Sequence, residues 1–291
     1  MARVVVVGSL NVDHTVRVER FPAPGETVTA TDYTFGLGGK GFNQAVTAAR
    51  MGVEVVMVGC VGADTDGDLL VQTLHDERID ASYVRRSELP TGSAHLIVDA
   101  TGQNSIVVVP GANAAASFPS AALEGADVLL AQLECPLETV AAALAAGRAA
   151  NVVTILNPAP ARPLTEALLY RVDYLVPNEH ESEGLGSVEY RGTAIVTSGE
   201  KGALVLSPGQ ARRRVPAFSV PVVDTTGAGD SFCGCFAASL AEGRPLSDSL
   251  QRASAAGACA VTRAGAFASL PTRHEVEQLL SRGQGASESQ S

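Results

Sequence analysis

The sequence predicts an α/β chain built on a central, mostly parallel β-sheet, with a small β layer lying over it as a lid. Three observations lead there. Short β-branched runs ending in Gly, Pro, Asn or Glu recur along the chain: "RVVVVGSL", "VEVVMVGCVG", "DVLLAQLE", "VVTILNPAP", "DYLVPNE" and "TAIVTSG". Several are separated by helix-like segments such as "PLETVAAALAAGRAA", the pattern of parallel strands buried on both faces. Two regions, Thr15 to Gly36 and Thr91 to Val109, instead alternate apolar and polar residues around turns ("HLIVDATGQNSIVVV"), as half-exposed antiparallel strands do.

In chain order, the first strand run gives way to Asn11 and Asp13, and the lid takes in about 12–36 and returns at about 90–112. Between these lie the glycine-rich "GLGGKGFNQ", which enters a helix, and the second strand run. The later runs lead into Glu134, Asn157 and Asn178. In such sheets ligands bind beyond the carboxyl ends of the strands, where these polar residues crowd. The acidic and small run "DTTGAGDSF" opens an apolar helix, and the polar end "GQGASESQS" reads as a disordered tail over 283–291, leaving 1–282 as a single domain.

With 46% hydrophobic residues in 291, the chain can bury a sizeable core. A net charge of -10 argues against a nucleic-acid or anionic-membrane partner, since either needs a broad basic face. Any phosphate must therefore be held locally. Five cysteines scattered through apolar runs do not form a disulfide framework, and the Cys233-Gly-Cys235 pair lacks the spacing and second pair of a common zinc site. With no membrane-length apolar run and no charged leader, the reading is a cytoplasmic protein.

Gly36, Gly38 and Gly41 have G-x-G-x-x-G spacing, yet the strand before them alternates and is exposed, so a dinucleotide fingerprint fails on context. A P-loop fails too, because no Ser or Thr follows Lys40. What remains is a turn whose backbone donors and Lys40 can approach a polar ligand or a phosphate, or a purely structural turn. The run Gly227-Ala228-Gly229 before Asp230 has two readings as well: an ordinary helix start, or backbone donors cleared of side chains beside a catalytic carboxylate.

The joint order of "GSLNVDHTVRVERFPAPGETVTA", "GLGGKGFNQAVTAARMG" and "DTTGAGDSFCGCF", with "AQLE", "LNPAP", "PNEHE" and "AVTRAGA", resembles that of the PfkB-type carbohydrate kinases, ribokinase and its relatives. The resemblance covers nearly the whole chain. It implies a three-layer α/β/α fold, ATP, Mg²⁺ and a monovalent cation such as K⁺ as cofactors, and a homodimer formed through the lid. It also implies that the γ-phosphoryl group of ATP goes to the primary hydroxyl of a pentose, with D-ribose giving ribose 5-phosphate. Asp230 would be the general base, and the N–H groups of Gly227, Ala228 and Gly229 an anion hole. The sugar would be held by Asn11, Asp13, Gly39, Lys40, Asn43, Glu134 and Asp230. Asn178 and Glu181 would serve Mg²⁺ and the phosphates through water; Thr197, Ser198, Gly199, Glu200 and Gly202 would run along the nucleotide with Gly229, and Ser254 would lie near the adenine. The monovalent cation would sit among Asp224, Thr226, Ala260, Arg263, Gly265 and Ser269.

Two departures stand out. Phe42 occupies a position where relatives usually carry Ala, so its ring either joins the core or narrows the sugar pocket. The connection from His180 to Gly192 is short, which predicts at most one short helix there and a sheet face more exposed or covered by a neighbouring chain. The competing readings are a nucleoside, deoxyribose or fructose kinase of the same family and a sugar-binding regulator without catalysis. A nucleoside kinase would want aromatics over the sugar, and only 4% of residues are aromatic. None of the five histidines is assigned a role; His14 reads as an exposed lid residue rather than part of a dyad.

Overall fold

The β-branched runs do assemble into one sheet. In the computed structural model, which describes residues 1–185 and 190–288, with side chains through 282, nine strands form the central sheet and four form a separate lid. The strands are β1 (Arg3–Val7), β2 (Asn11–Arg17), β3 (Asp32–Gly38), β4 (Glu54–Gly62), β5 (Asp80–Ser87), β6 (Gly92–Val98), β7 (Asn104–Val109), β8 (Val128–Ala131), β9 (Val153–Leu156), β10 (Tyr174–Leu175), β11 (Thr193–Thr197), β12 (Ala203–Leu206) and β13 (Arg213–Val215). The helices are α1 (Lys40–Arg50), α2 (Thr65–Asp76), α3 (Leu137–Ala149), α4 (Glu166–Leu169), α5 (Glu179–Gly184), α6 (Ala228–Ala241), α7 (Leu246–Ala260) and α8 (Arg273–Glu288).

The central order is β13-β12-β11-β10-β9-β8-β1-β4-β5, parallel except for β12 and β13. All six strand runs fall in it; β5, β12 and β13 were not anticipated. Alternation along β1 shows why both faces need helices. Val4 and Val6 point into a core shared with α1, α2, α6, α7 and α8, whereas Val5 and Val7 point into one shared with α3 and α4. The result is an α/β/α sandwich.

The lid sheet, β3-β2-β6-β7, corrects one expectation. Its two hairpins are antiparallel, but β2 and β6 join them in parallel, with Asn11 opposite Gly92 and His14 opposite His95. Alternation of side chains is the same in either direction, so it could not have revealed this. The tail also differs. α8 continues to Glu288, because adding residues to an established helix costs little even past glycine, and 289–291 lie outside the described residues.

Between β10 and β11 the described chain holds only the six-residue α5, and positions 186–189 of that connection lie outside the described residues. The two strands are adjacent and parallel, with Asn178 bridging Thr197. Leu185 and Tyr190 pack on the neighbouring sheet face, so the connection itself covers part of what its brevity suggested would be bare.

Candidate active site

Two helix N-termini converge at the carboxyl end of the sheet. α1 starts from Gly39, whose φ of 91° lies in the region that favours glycine, and a Cβ there would come within 2.9 Å of Asn11 N. α6 starts from Gly227 at φ 77°. A Cβ on Gly234 would lie 2.5 Å from Gln44 O, so that glycine lets the helices touch. Partial positive charge from both N-termini therefore faces one small cavity of about 190 Å³, lined by Lys40, Asn157, Asn178, Glu181, Thr197, Thr225, Gly227, Gly229, Asp230 and Cys233.

Asp230, 8% exposed, stands in the first turn of α6. Its Oδ2 accepts from Asn43 Nδ2 and its Oδ1 from Gln44 Nε2, each at 2.9 Å. Burial raises its pKa; the Lys40 charge and the two amide bonds oppose this, and the Glu134 charge adds to it. For Lys40, burial works against the ammonium, but Asp230, Glu134 and Glu181 outweigh it and hold the lysine charged.

Around this centre the structure gathers the expected sugar-site residues. Glu134 accepts from Ser9 Oγ and, at 3.1 Å, from Lys40 N, which pins it to the start of α1. Asn11 is buried, and its Oδ1 accepts from Asn113 Nδ2 at 2.7 Å. Asp13 is pushed from the ordinary 3.8 up to about 6, first by burial and then by the charges of Glu134 and Asp230. It fits only because residue 38 is glycine, whose Cβ would stand 2.1 Å from Asp13 Oδ2. Asn43 Oδ1 is buried with no hydrogen-bond partner among the described residues, an acceptor suited to a hydroxyl. Phe42 is fully buried in the core against Phe267, with ring centroids 5.5 Å apart, so it does not narrow the site.

A second, larger cleft of about 640 Å³ adjoins the first and shares Thr197, Thr225 and Gly229 with it. Thr197, Gly199, Glu200, Gly202 and Ser254 line it, with Phe218, Val220, Val222 and Val261 as apolar walls of the kind a purine base fills. Ser198 is not among its lining residues; its N–H is bound to Gly202 O at 2.7 Å, shaping the turn that precedes β12. Where a Cβ on Gly229 would be, nothing lies within 4 Å, so the junction of the two cavities is open beside that backbone. Ala228 N meets Thr225 O at 3.3 Å, a long bond that keeps this donor partly engaged.

Asn178 and Glu181 form a capping box on α5: Glu181 N donates to Asn178 Oδ1 at 2.8 Å, and Asn178 N donates to Glu181 Oε2 at 2.9 Å. The motif thus has a structural role as well, while Glu181 still lines the smaller cavity. Asp224 Oδ1 accepts from Thr226 N and Oγ1, and Oδ2 from Gly265 N at 2.9 Å, tying two loops together. Burial would raise its carboxyl, but these bonds and the Arg17 charge outweigh that and hold it below the ordinary range. Arg263 turns its guanidinium away, to Glu275 and to Ser269 O, so only its backbone could face a cation. Ala260 is the buried last residue of α7, and Ser269 is buried with its Oγ donating to Ala266 O. Ser9, Gln44, Asn113, Gln132 and Thr225 were missed in the sequence, since isolated polar residues inside apolar runs carry no spacing signal. His14 stacks on His95 in the lid at 5.0 Å, away from these groups.

A basic charge and a carboxylate at a pair of helix N-termini, between a polar pocket and an apolar cleft, define a phosphoryl-transfer site. The sequence profile of the pfkB family carbohydrate kinases matches residues 1–273, and the chain belongs to that family. Within it, the chain is 40% identical to the ribokinase of Bacillus subtilis (97% of this chain, 100% of the relative) and 37% identical to that of Haemophilus influenzae (94% and 97%). The solved ribokinase of Thermotoga maritima superposes with a TM-score of 0.87 at 36% identity (97% and 100% covered). The Arabidopsis thaliana ribokinase, solved with ribose and ATP, superposes at 0.88 and 33% identity (96% and 98%). A deoxyribokinase of Salmonella typhimurium is 36% identical (96% and 98%). No helix among the described residues is long and apolar enough to cross a membrane.

Proposed function

We propose that the protein is an ATP-dependent ribose kinase acting in the cytoplasm. The observation that carries the reading is the meeting of the two cavities at Gly229, directly beside Asp230, because a nucleotide in the apolar cleft then brings its terminal phosphate to the carboxylate. The sugar lies among Asn11, Asp13, Gly39, Lys40, Asn43 and Glu134 and presents its primary hydroxyl to Asp230. Asp230 takes the proton as the hydroxyl oxygen attacks the γ-phosphorus, and ADP leaves. Lys40 and the N–H groups of Gly227, Ala228 and Gly229 stabilise the negative charge on the transferring group.

The carboxylate and amide oxygens at Glu181 and Asn178 suit a hydrated hard cation, and Mg²⁺ held there would neutralise phosphate charge. Asp224, with the backbone of Thr226, Ala260, Arg263 and Gly265 and with Ser269, would hold K⁺; the lowered pKa of Asp224 keeps a full negative charge there. The outer lid supports a homodimer: Tyr33, Phe35 and Val107 lie on one face of its sheet at 55%, 44% and 62% exposure. Solution mass reads this, and a monomer at micromolar concentration would remove the dimer.

ADP release measured across D-ribose, deoxyribose, fructose and nucleosides tests the substrate. Ribose should give the highest kcat/KM. A nucleoside or hexose ten times better would overturn the assignment, a deoxyribose preference would place the chain with the deoxyribokinases, and sugar binding without turnover would favour the regulator.

A further inference from the structure

Gln44 lies one residue beyond Asn43, is fully buried and does not itself line either cavity. Its Nε2 donates to Asp230 Oδ1 at 2.9 Å and to Asn157 Oδ1 at 3.2 Å, and its Oε1 accepts from Gln132 Nε2 at 2.5 Å. An amide has one donor end and one acceptor end. With two acceptors on one side and a donor on the other, only one orientation of Gln44 satisfies all three. Asn157 is fixed in turn: its Nδ2 donates to Val176 O at 2.8 Å and reaches Glu181 Oε2 at 3.5 Å.

The backbone has been cleared to admit this chain of amides. A Cβ on Gly8 would lie 1.9 Å from Gln132 Oε1, which is buried with no hydrogen-bond partner among the described residues. Leaving such an acceptor unpaired is costly, so the arrangement needs a reason beyond packing. Asp230 supplies one. Its other amide partner, Asn43, also faces the sugar site, so Gln44 is the anchor that stays on the base when Asn43 turns to a hydroxyl.

Resting on the reading of Asp230 as the base, we propose that Gln44, oriented by Gln132 and Asn157, is a positioning residue: it holds Asp230 Oδ1 and leaves Oδ2 aimed at the sugar hydroxyl. The bond also favours the ionised carboxylate against its burial.

The test compares the parent with Gln44→Met, Gln132→Met and Asp230→Asn, measuring kcat, KM for ribose, calorimetric ribose affinity, melting, and kcat/KM against pH. Gln44→Met should lose about 10–100-fold in kcat, the scale of a small misplacement of a reacting group, with ribose affinity kept within about threefold. The acid limb of its pH profile should move to higher pH, because the ionised base has lost a donor. Gln132→Met, which does not touch Asp230, should show a smaller loss of the same kind and supplies the readout if Gln44→Met does not fold. Weaker ribose binding with unchanged kcat, or a kcat loss with an unmoved acid limb, would overturn the proposal. If Asp230→Asn turns over normally the base assignment itself fails; if it is inactive while both Met variants match the parent, this inference alone fails.

Discussion

Replacing Asp13 by Asn should make the sugar-free protein more stable at neutral pH while weakening its hold on the sugar. Asp13 sits beside Glu134 and Asp230, and its carboxyl is pushed from 3.8 to about 6 by burial and those two charges. A raised pKa means that the folded protein holds this proton where the unfolded chain has already released it. Stability from this group is therefore full below about pH 4, declines as pH rises toward 6, and is absent above. The displacement is worth about 3 kcal/mol. Asn mimics the protonated form in shape and carries no charge, so Asp13→Asn should gain up to about 3 kcal/mol at pH 7.5 and almost nothing at pH 3.5. Thermal melting of both proteins across that range reads it: the difference in melting temperature should be several degrees at the upper end and close to zero at the lower. An equal difference at both ends, or none at pH 7.5, would refute the reasoning. Saturating ribose should narrow the gap at pH 7.5, because only the parent's carboxylate gains hydroxyl partners.

Phe42→Leu should lower stability by about 1–2 kcal/mol through the space left beside Phe267, while KM for ribose stays within about twofold; a large KM change in the assay would put the ring in the sugar pocket after all. Initial rates should rise with K⁺ and not with an equal concentration of a bulky organic cation, and Asp224→Ala should abolish the difference; equal parent rates in both salts would remove the cation from the account.

Much of this was legible because the signals are periodic or jointly ordered. Val4 to Val7 announce a strand buried on both faces, and the glycines at 38, 39 and 227 stand where the backbone has a positive φ or lies against Asp13 or Asn11. Asp230 could be singled out because the small run precedes it. The three residues of β13 are too short to show a period, and the parallel β2–β6 junction leaves no trace in alternation. The amides at 44, 132 and 157 acquire meaning only when a helix and two strand ends bring them together. The N-x-x-E at Asn178 could have been read as a capping box from spacing alone, and the structure gives it that role.

The most direct measurement is the turnover of Asp230→Asn with ribose and ATP, taken with its affinities for both. The carboxylate acts on the proton in the transition state, so kcat should fall by about 10²–10⁴-fold while ribose and ATP bind within a few-fold of the parent. Near-parental turnover in a variant that binds both substrates would contradict the account, because no other carboxylate among the described residues stands at the head of α6 where the sugar pocket and the nucleotide cleft meet.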